Sequence, residues 1–151
     1  MKKIILSLIL VFTLGTVTCW SQCDDSVKKS ALQEMGDSQY IKDFSISLVK
    51  KPNEVKTGMV RFNVLLNSRN HYRFNVVNGP ANPEEVIMQL YDQDRLLVSN
   101  LESGKMYKAF DFVCRTTKVY QLVFSFRGGE EGCAEAVLSL VRQYSDGEMG
   151  F

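Results

Sequence analysis

The side chains in this chain that could do chemistry are few, and their spacing excludes more than it offers. The 151 residues hold four cysteines and one histidine. A tetrahedral zinc site needs four such ligands, and neither a Cys-x-x-Cys pair nor a second histidine is present to supply them. No serine stands in a Gly-x-Ser-x-Gly setting. Gly128-Gly129 lacks the Lys-Ser/Thr that a phosphate loop requires, so nothing in the sequence asks for a cofactor. His71, beside Asn70 at a strand start, reads as a solvated or capping residue. Asp92 and Asp94, with Asp111 or Glu102 nearby, offer hard oxygens of the kind calcium takes, although paired acids in a tight turn serve as ordinary turn residues. Asp92 with Asp111 is also the acid pair a small hydrolase would use. Tyr91 and Tyr107 are candidates to face outward as sugar platforms, whereas Tyr72 and Tyr120 fall on core positions. Glu130-Glu131 reads as solvated loop charge.

The chemistry depends on which residues survive export. Lys2 and Lys3 precede an apolar run from Ile4 to Leu14, and small or polar residues follow as far as Ser21. That is the layout of a cleavable signal peptide, and the run is too short for a membrane-spanning helix of roughly 20 residues. Cleavage is expected after Ser21, which removes Cys19 and the single tryptophan, Trp20. Lipidation at Cys19 is the competing outcome, although Thr16-Val17-Thr18 is a poor lipobox. The Lys-Lys start and the Ser-Gln cut resemble exported proteins of Bacteroidetes-type bacteria. Losing Lys2 and Lys3 leaves 16 basic against 17 acidic side chains. A near-neutral chain with interspersed signs carries no basic stripe for nucleic acid.

The expected organisation is a leader over 1–21, a helix and linker over 22–39, a β-domain over 40–142 and a loose tail over 143–151. Val27, Ala31, Leu32 and Met35 form one helical stripe, with acids at the N-terminal end and Gly36 as a stop. From Tyr40 the apolar period becomes two: Phe44, Ile46 and Leu48, then Val60, Phe62 and Val64, then Tyr72, Phe74 and Val76. Further strands are expected at 86–91, 96–99, 106–114, 119–127 and 133–141. The last of these is ambiguous, because Ala134 to Leu138 includes helix formers. Eight short strands with regular turns indicate an all-β, jelly-roll-like antiparallel sandwich with one N-terminal helix.

That strand order bears on the cysteines left after cleavage: Cys23, Cys114 and Cys133. In an oxidising compartment a disulfide is expected. Between Cys114 and Cys133 a nine-residue strand, roughly 30 Å long, carries the chain to the other end of the sandwich. A disulfide tolerates a Cα separation of only about 7 Å. If the final strand lies antiparallel to the first and the helix packs back along the sheet, Cys23 meets Cys133. Cys114 is then a buried thiol in line with Phe110 and Phe112. A helix lying across the other end would pair Cys23 with Cys114 instead.

His71 to Val76, Leu90-Tyr91-Asp92 followed by Leu97-Val98-Ser99-Asn100, and Phe110-Asp111-Phe112 followed by Val119 to Val123 together resemble bacterial pre-peptidase C-terminal domains. The match spans roughly half of the exported chain. It departs at Lys118, where that family usually has glycine, and in the cysteines and the helix. The resemblance implies a β-sandwich and a non-catalytic accessory role. The expected function is therefore an exported binding domain, periplasmic, outer-membrane-associated or secreted, that engages protein or glycan. Loops Lys50–Thr57, Asn78–Pro83 and Gly128–Gly132 are the expected contact regions. A small hydrolase or an enzyme inhibitor using Asp92 and Asp111 is the alternative.

Overall fold

In a computed structural model of the chain, residues 23–80 and 85–149 are described. The leader, with Cys19 and Trp20, lies outside them, as do Ala81 to Glu84. Helix α1 (Asp25–Glu34) opens the described chain. Ten strands follow: β1 (Gln39–Leu48), β2 (Val60–Leu66), β3 (Asn70–Asn78), β4 (Val86–Asp92), β5 (Arg95–Ser99), β6 (Leu101–Glu102), β7 (Lys105–Met106), β8 (Ala109–Cys114), β9 (Lys118–Phe126) and β10 (Gly132–Gln143). They form two four-stranded antiparallel sheets, ordered β1-β10-β3-β8 and β2-β9-β4-β5, and a small β6-β7 hairpin. This is the all-β sandwich that the period-two patterning called for.

The inward rows of the two sheets make one core. Phe44, Ile46, Phe74, Val76 and Phe110 from the first sheet meet Val64, Leu66, Met88, Leu90, Leu122 and Phe124 from the second. Burying each such side chain contributes on the order of 1.5–3 kcal/mol. On β10 the outward residues Glu135, Val137 and Ser139 are buried as well, because α1 lies across β10 and β3. That explains the ambiguous composition of β10: a strand covered on both faces shows no alternation.

Asp24 caps α1, its carboxylate accepting from the backbone N–H groups of Ser26 and Val27. Val27 and Ala31 are the helix's buried stripe, and Asn75 Nδ2 donates to the Ala31 carbonyl at 2.8 Å. So placed, the helix brings Cys23 onto Cys133, and the two are disulfide-bonded with Cα atoms 5.5 Å apart. Cys114 is a free, fully buried thiol. It lies opposite Asn70 at one end of β3, while Ala134, beside Cys133, lies opposite Asn78 at the other.

Two expectations about elements need correction. The strand expected over 106–114 is broken in two, because Asn100 captures the chain at Tyr107: the Tyr107 N–H donates to the Asn100 carbonyl, and Asn100 Nδ2 donates to the Tyr107 carbonyl. Ser103 and Gly104, at φ +50° and +81°, close the β6-β7 hairpin just before that point. The tail is also tied down over 144–149. The Tyr144 N–H donates to the Arg69 carbonyl, Arg142 pairs with Glu148, and Arg69 pairs with Asp146. Among the described residues no helix is long and apolar enough to cross a membrane.

Candidate functional site

Antiparallel pairing carries the three loops expected as contact regions to one end of the sandwich. Leu48 at the end of β1 lies opposite Gly132, Asn78 at the end of β3 lies opposite Ala134, and Phe126 at the end of β9 lies opposite Val86. The described parts of the loops therefore share this end with the disulfide and the N-terminus of α1. They are also tied to one another. The Thr57 N–H donates to the Gly129 carbonyl at 2.7 Å, and its hydroxyl donates to the Glu130 carbonyl at 2.8 Å. Lys50 donates through its backbone N–H to Glu131, and its ammonium pairs with Glu130 at 2.7 Å. Glu130 and Glu131 are thus braces rather than free solvated charge.

Glycine is needed at two points here. Gly129 sits at φ +74°, and a Cβ on it would come within 2.6 Å of the Lys56 side chain. A Cβ on Gly79 would collide with Cys133 Sγ, while the Gly79 N–H donates to the Cys133 carbonyl at 2.8 Å. Beyond Gly79, Glu85 accepts from Arg127 at 3.0 Å. On this frame Val55 stands 86% exposed, Val49 is exposed as well, and Lys51 reaches into solvent. Val55 lies inside the Lys50–Thr57 loop, and one valine among polar residues carries no local signal that would single it out.

The residues considered for chemistry lie elsewhere, and His71, Asp92 and Asp111 are already occupied. His71 is a strand residue rather than a turn cap, and its Nε2 is 2.9 Å from Asp111 Oδ2. Arg73 donates to both Asp111 oxygens, and this guanidinium, with His71, holds the Asp111 carboxyl below its ordinary range against the opposing effect of burial. Asp92 sits on the other sheet, paired with Lys118 and Arg95, and the Lys118 ammonium likewise lowers its carboxyl. Asp92 and Asp111 therefore belong to separate charge clusters and form no catalytic pair. The calcium candidates fare no better. Asp92 is held by its cations, Asp94 is exposed, and among the described residues no three metal-ligating side chains are grouped.

Tyr72 and Tyr120 are buried, as core positions should be. The Tyr72 hydroxyl accepts from the Asn67 N–H and from Asn70 Nδ2, and the Tyr120 hydroxyl donates to the Thr116 carbonyl. Burial, then the Cys114 thiol beside it, raises the Tyr120 hydroxyl far above a phenol's usual range. Tyr107 is exposed, with the Lys105 ammonium 5.0 Å from its ring centroid, and Tyr91 is half-buried on the outer face of β4.

No family model and no curated protein matches the chain. Among solved structures it is similar to PliG of Aeromonas hydrophila, a periplasmic lysozyme inhibitor of g-type lysozyme. The two are 6% identical with a TM-score of 0.47, over 69% of this chain and 88% of that one. A likeness that distant bears on neither ligand nor activity.

Proposed function

We propose that this chain is an exported, non-catalytic binding domain of the cell envelope that grips a protein partner with the braced loop end. The observation that carries the reading is the mutual bracing of the loops. Thr57 and Lys50 are tied to Gly129, Glu130 and Glu131, and Gly79 to Cys133, so that the segment carrying the exposed Val55 is anchored at both of its ends. A pre-organised apolar tip loses little entropy on docking, which is how small protruding surfaces gain affinity. Export is supported by the signal-like leader and by the Cys23–Cys133 bridge, since disulfides persist in oxidising compartments. The Asn100 hydrogen bonds give a structural purpose to the Ser-Asn motif and favour the likeness to pre-peptidase C-terminal domains.

The inhibitor form of the alternative also gains from one observation: Val55 is a highly exposed apolar side chain on a loop anchored at both ends, a contact that suits insertion into another protein's cleft. Its contact residues would be those around Val55 rather than Asp92 and Asp111. Both forms meet one test. A photo-crosslinker at position 55, introduced in the cell that exports the protein, should capture a defined protein, and one at position 94 should not. Val55→Asp should abolish capture. Equal capture from both positions would sink the proposal. Assays against secreted hydrolases, glycosidases among them, then separate inhibitor from adaptor.

A further inference from the structure

The outer face of the second sheet carries a cleft that neither the core nor the loop end explains. It has a volume of about 180 Å³ and is lined by Met59, Arg61, Gln89, Tyr91, Gln121 and Val123, with Gln93 and Asp94 at its turn end. Strand register lays the outward side chains of this face out in two rungs. Arg61, Val123 and Gln89 lie side by side across β2, β9 and β4, and Asn63, Gln121 and Tyr91 form the next rung. Neighbours within a rung are about 4.8 Å apart, and the rungs are about 7 Å apart along the strands. Val123 is only 5% exposed although it points away from the core, so it makes an apolar floor.

The hydrogen-bonding capacity above that floor is unspent. Among the described residues the side chains of Arg61, Gln93, Asp94 and Gln121 take no partner within the protein, and Gln89 accepts only a long 3.4 Å bond from the Tyr91 hydroxyl. Other arginines differ: Arg69, Arg73, Arg95, Arg127 and Arg142 each pair with a carboxylate. The cleft thus sets planar amides, one guanidinium, one carboxylate and one aromatic ring around an apolar patch, and the two charges cancel.

We infer that this face binds a neutral oligosaccharide lying across β4, β9 and β2. Paired amide and guanidinium groups would bridge vicinal hydroxyls, and a pyranose C–H face would rest on Tyr91 and Val123. A charged polymer would leave one charge of the cleft opposed, and an apolar ligand would strand its donors and acceptors, which is unfavourable for every polar group left buried and unpaired. The inference is independent of the loop end, which lies on other residues.

The test is an NMR titration of the isotope-labelled exported protein with cellohexaose, xylohexaose, laminarihexaose and chitohexaose to millimolar concentration. At least one should move the side-chain amide signals of Gln89 and Gln121 and the backbone signals of 89–94. Gln121→Ala should weaken that binding roughly tenfold, equivalent to about 1.4 kcal/mol. Tyr91→Phe should retain binding that Tyr91→Ala loses, and Val55→Asp should leave the titration unchanged. The inference is overturned if no hexaose moves these signals, if the shifts map to the loop end, or if oligogalacturonate binds better than every neutral sugar.

Discussion

Glu135 is the residue whose surroundings make the sharpest demand. It is buried under α1, one carboxylate oxygen has no partner, and its neighbours are Ser45, Asp43 and Lys28. Burial raises its carboxyl above the ordinary 4.5, ahead of the opposing Ser45 hydrogen bond. A carboxyl raised on folding contributes stability below its unfolded value, and that contribution is lost as pH rises through the folded value. Glu135→Gln is therefore expected to stabilise the protein at pH 7 and to bring no gain at pH 4, as read by urea unfolding at both. Cys133→Ser tests a second residue-scale point. Its bridge closes a loop over 110 positions, and the chain-entropy model gives a loss of about 4–5 kcal/mol. Thiol titration of the exported chain should find Cys114 unreactive until the protein is unfolded, because it is fully buried.

Among the elements, the β4-β5 hairpin depends on one side chain. Asn100 Oδ1 accepts from the Met88 N–H at 2.7 Å, and its Nδ2 donates to the Val86 and Tyr107 carbonyls. Asn100→Ala leaves buried backbone groups unpaired and should cost about 2–4 kcal/mol, measured by chemical denaturation. Gly79→Ala should cost about 1–3 kcal/mol by overpacking the Cys23–Cys133 bridge and lower the thermal midpoint. These contacts also show where local pattern was a poor guide. Continuous β-propensity over 106–114 hid a break that a residue seven positions upstream of Tyr107 imposes. Strand β10 lost its alternation because of a helix about a hundred residues earlier.

For the whole molecule, acid stability follows from the surface clusters. Asp43, Asp92 and Asp111 each have a cationic partner as the main cause of a carboxyl held below the ordinary 3.8; the partners are Lys28, Lys118 and Arg73. Carboxyls lowered on folding contribute stability above their unfolded value and lose it as pH falls through the lowered values. Unfolding should therefore set in below about pH 4 and respond to salt, because the pairs are partly exposed. A circular-dichroism titration at low and high ionic strength checks both. Val55→Asp should leave that profile and the stability unchanged within about 0.5 kcal/mol, since the side chain packs against little.

Period-two patterning from Phe44 to Val123 determined the sandwich without any tertiary information, because one-sided burial repeats every second residue. The antiparallel strand count likewise excluded a Cys114–Cys133 bridge and pointed to Cys23. Tertiary structure alone decided which polar side chains meet. It gave Asp111 to Arg73 and Asp92 to Lys118, buried Glu135 beneath α1, and left Gln89, Gln121 and Arg61 open on one face. Those outcomes depend on strand register and on a helix's resting place. A polar residue reads the same in sequence whether its partner lies across the sheet or is missing.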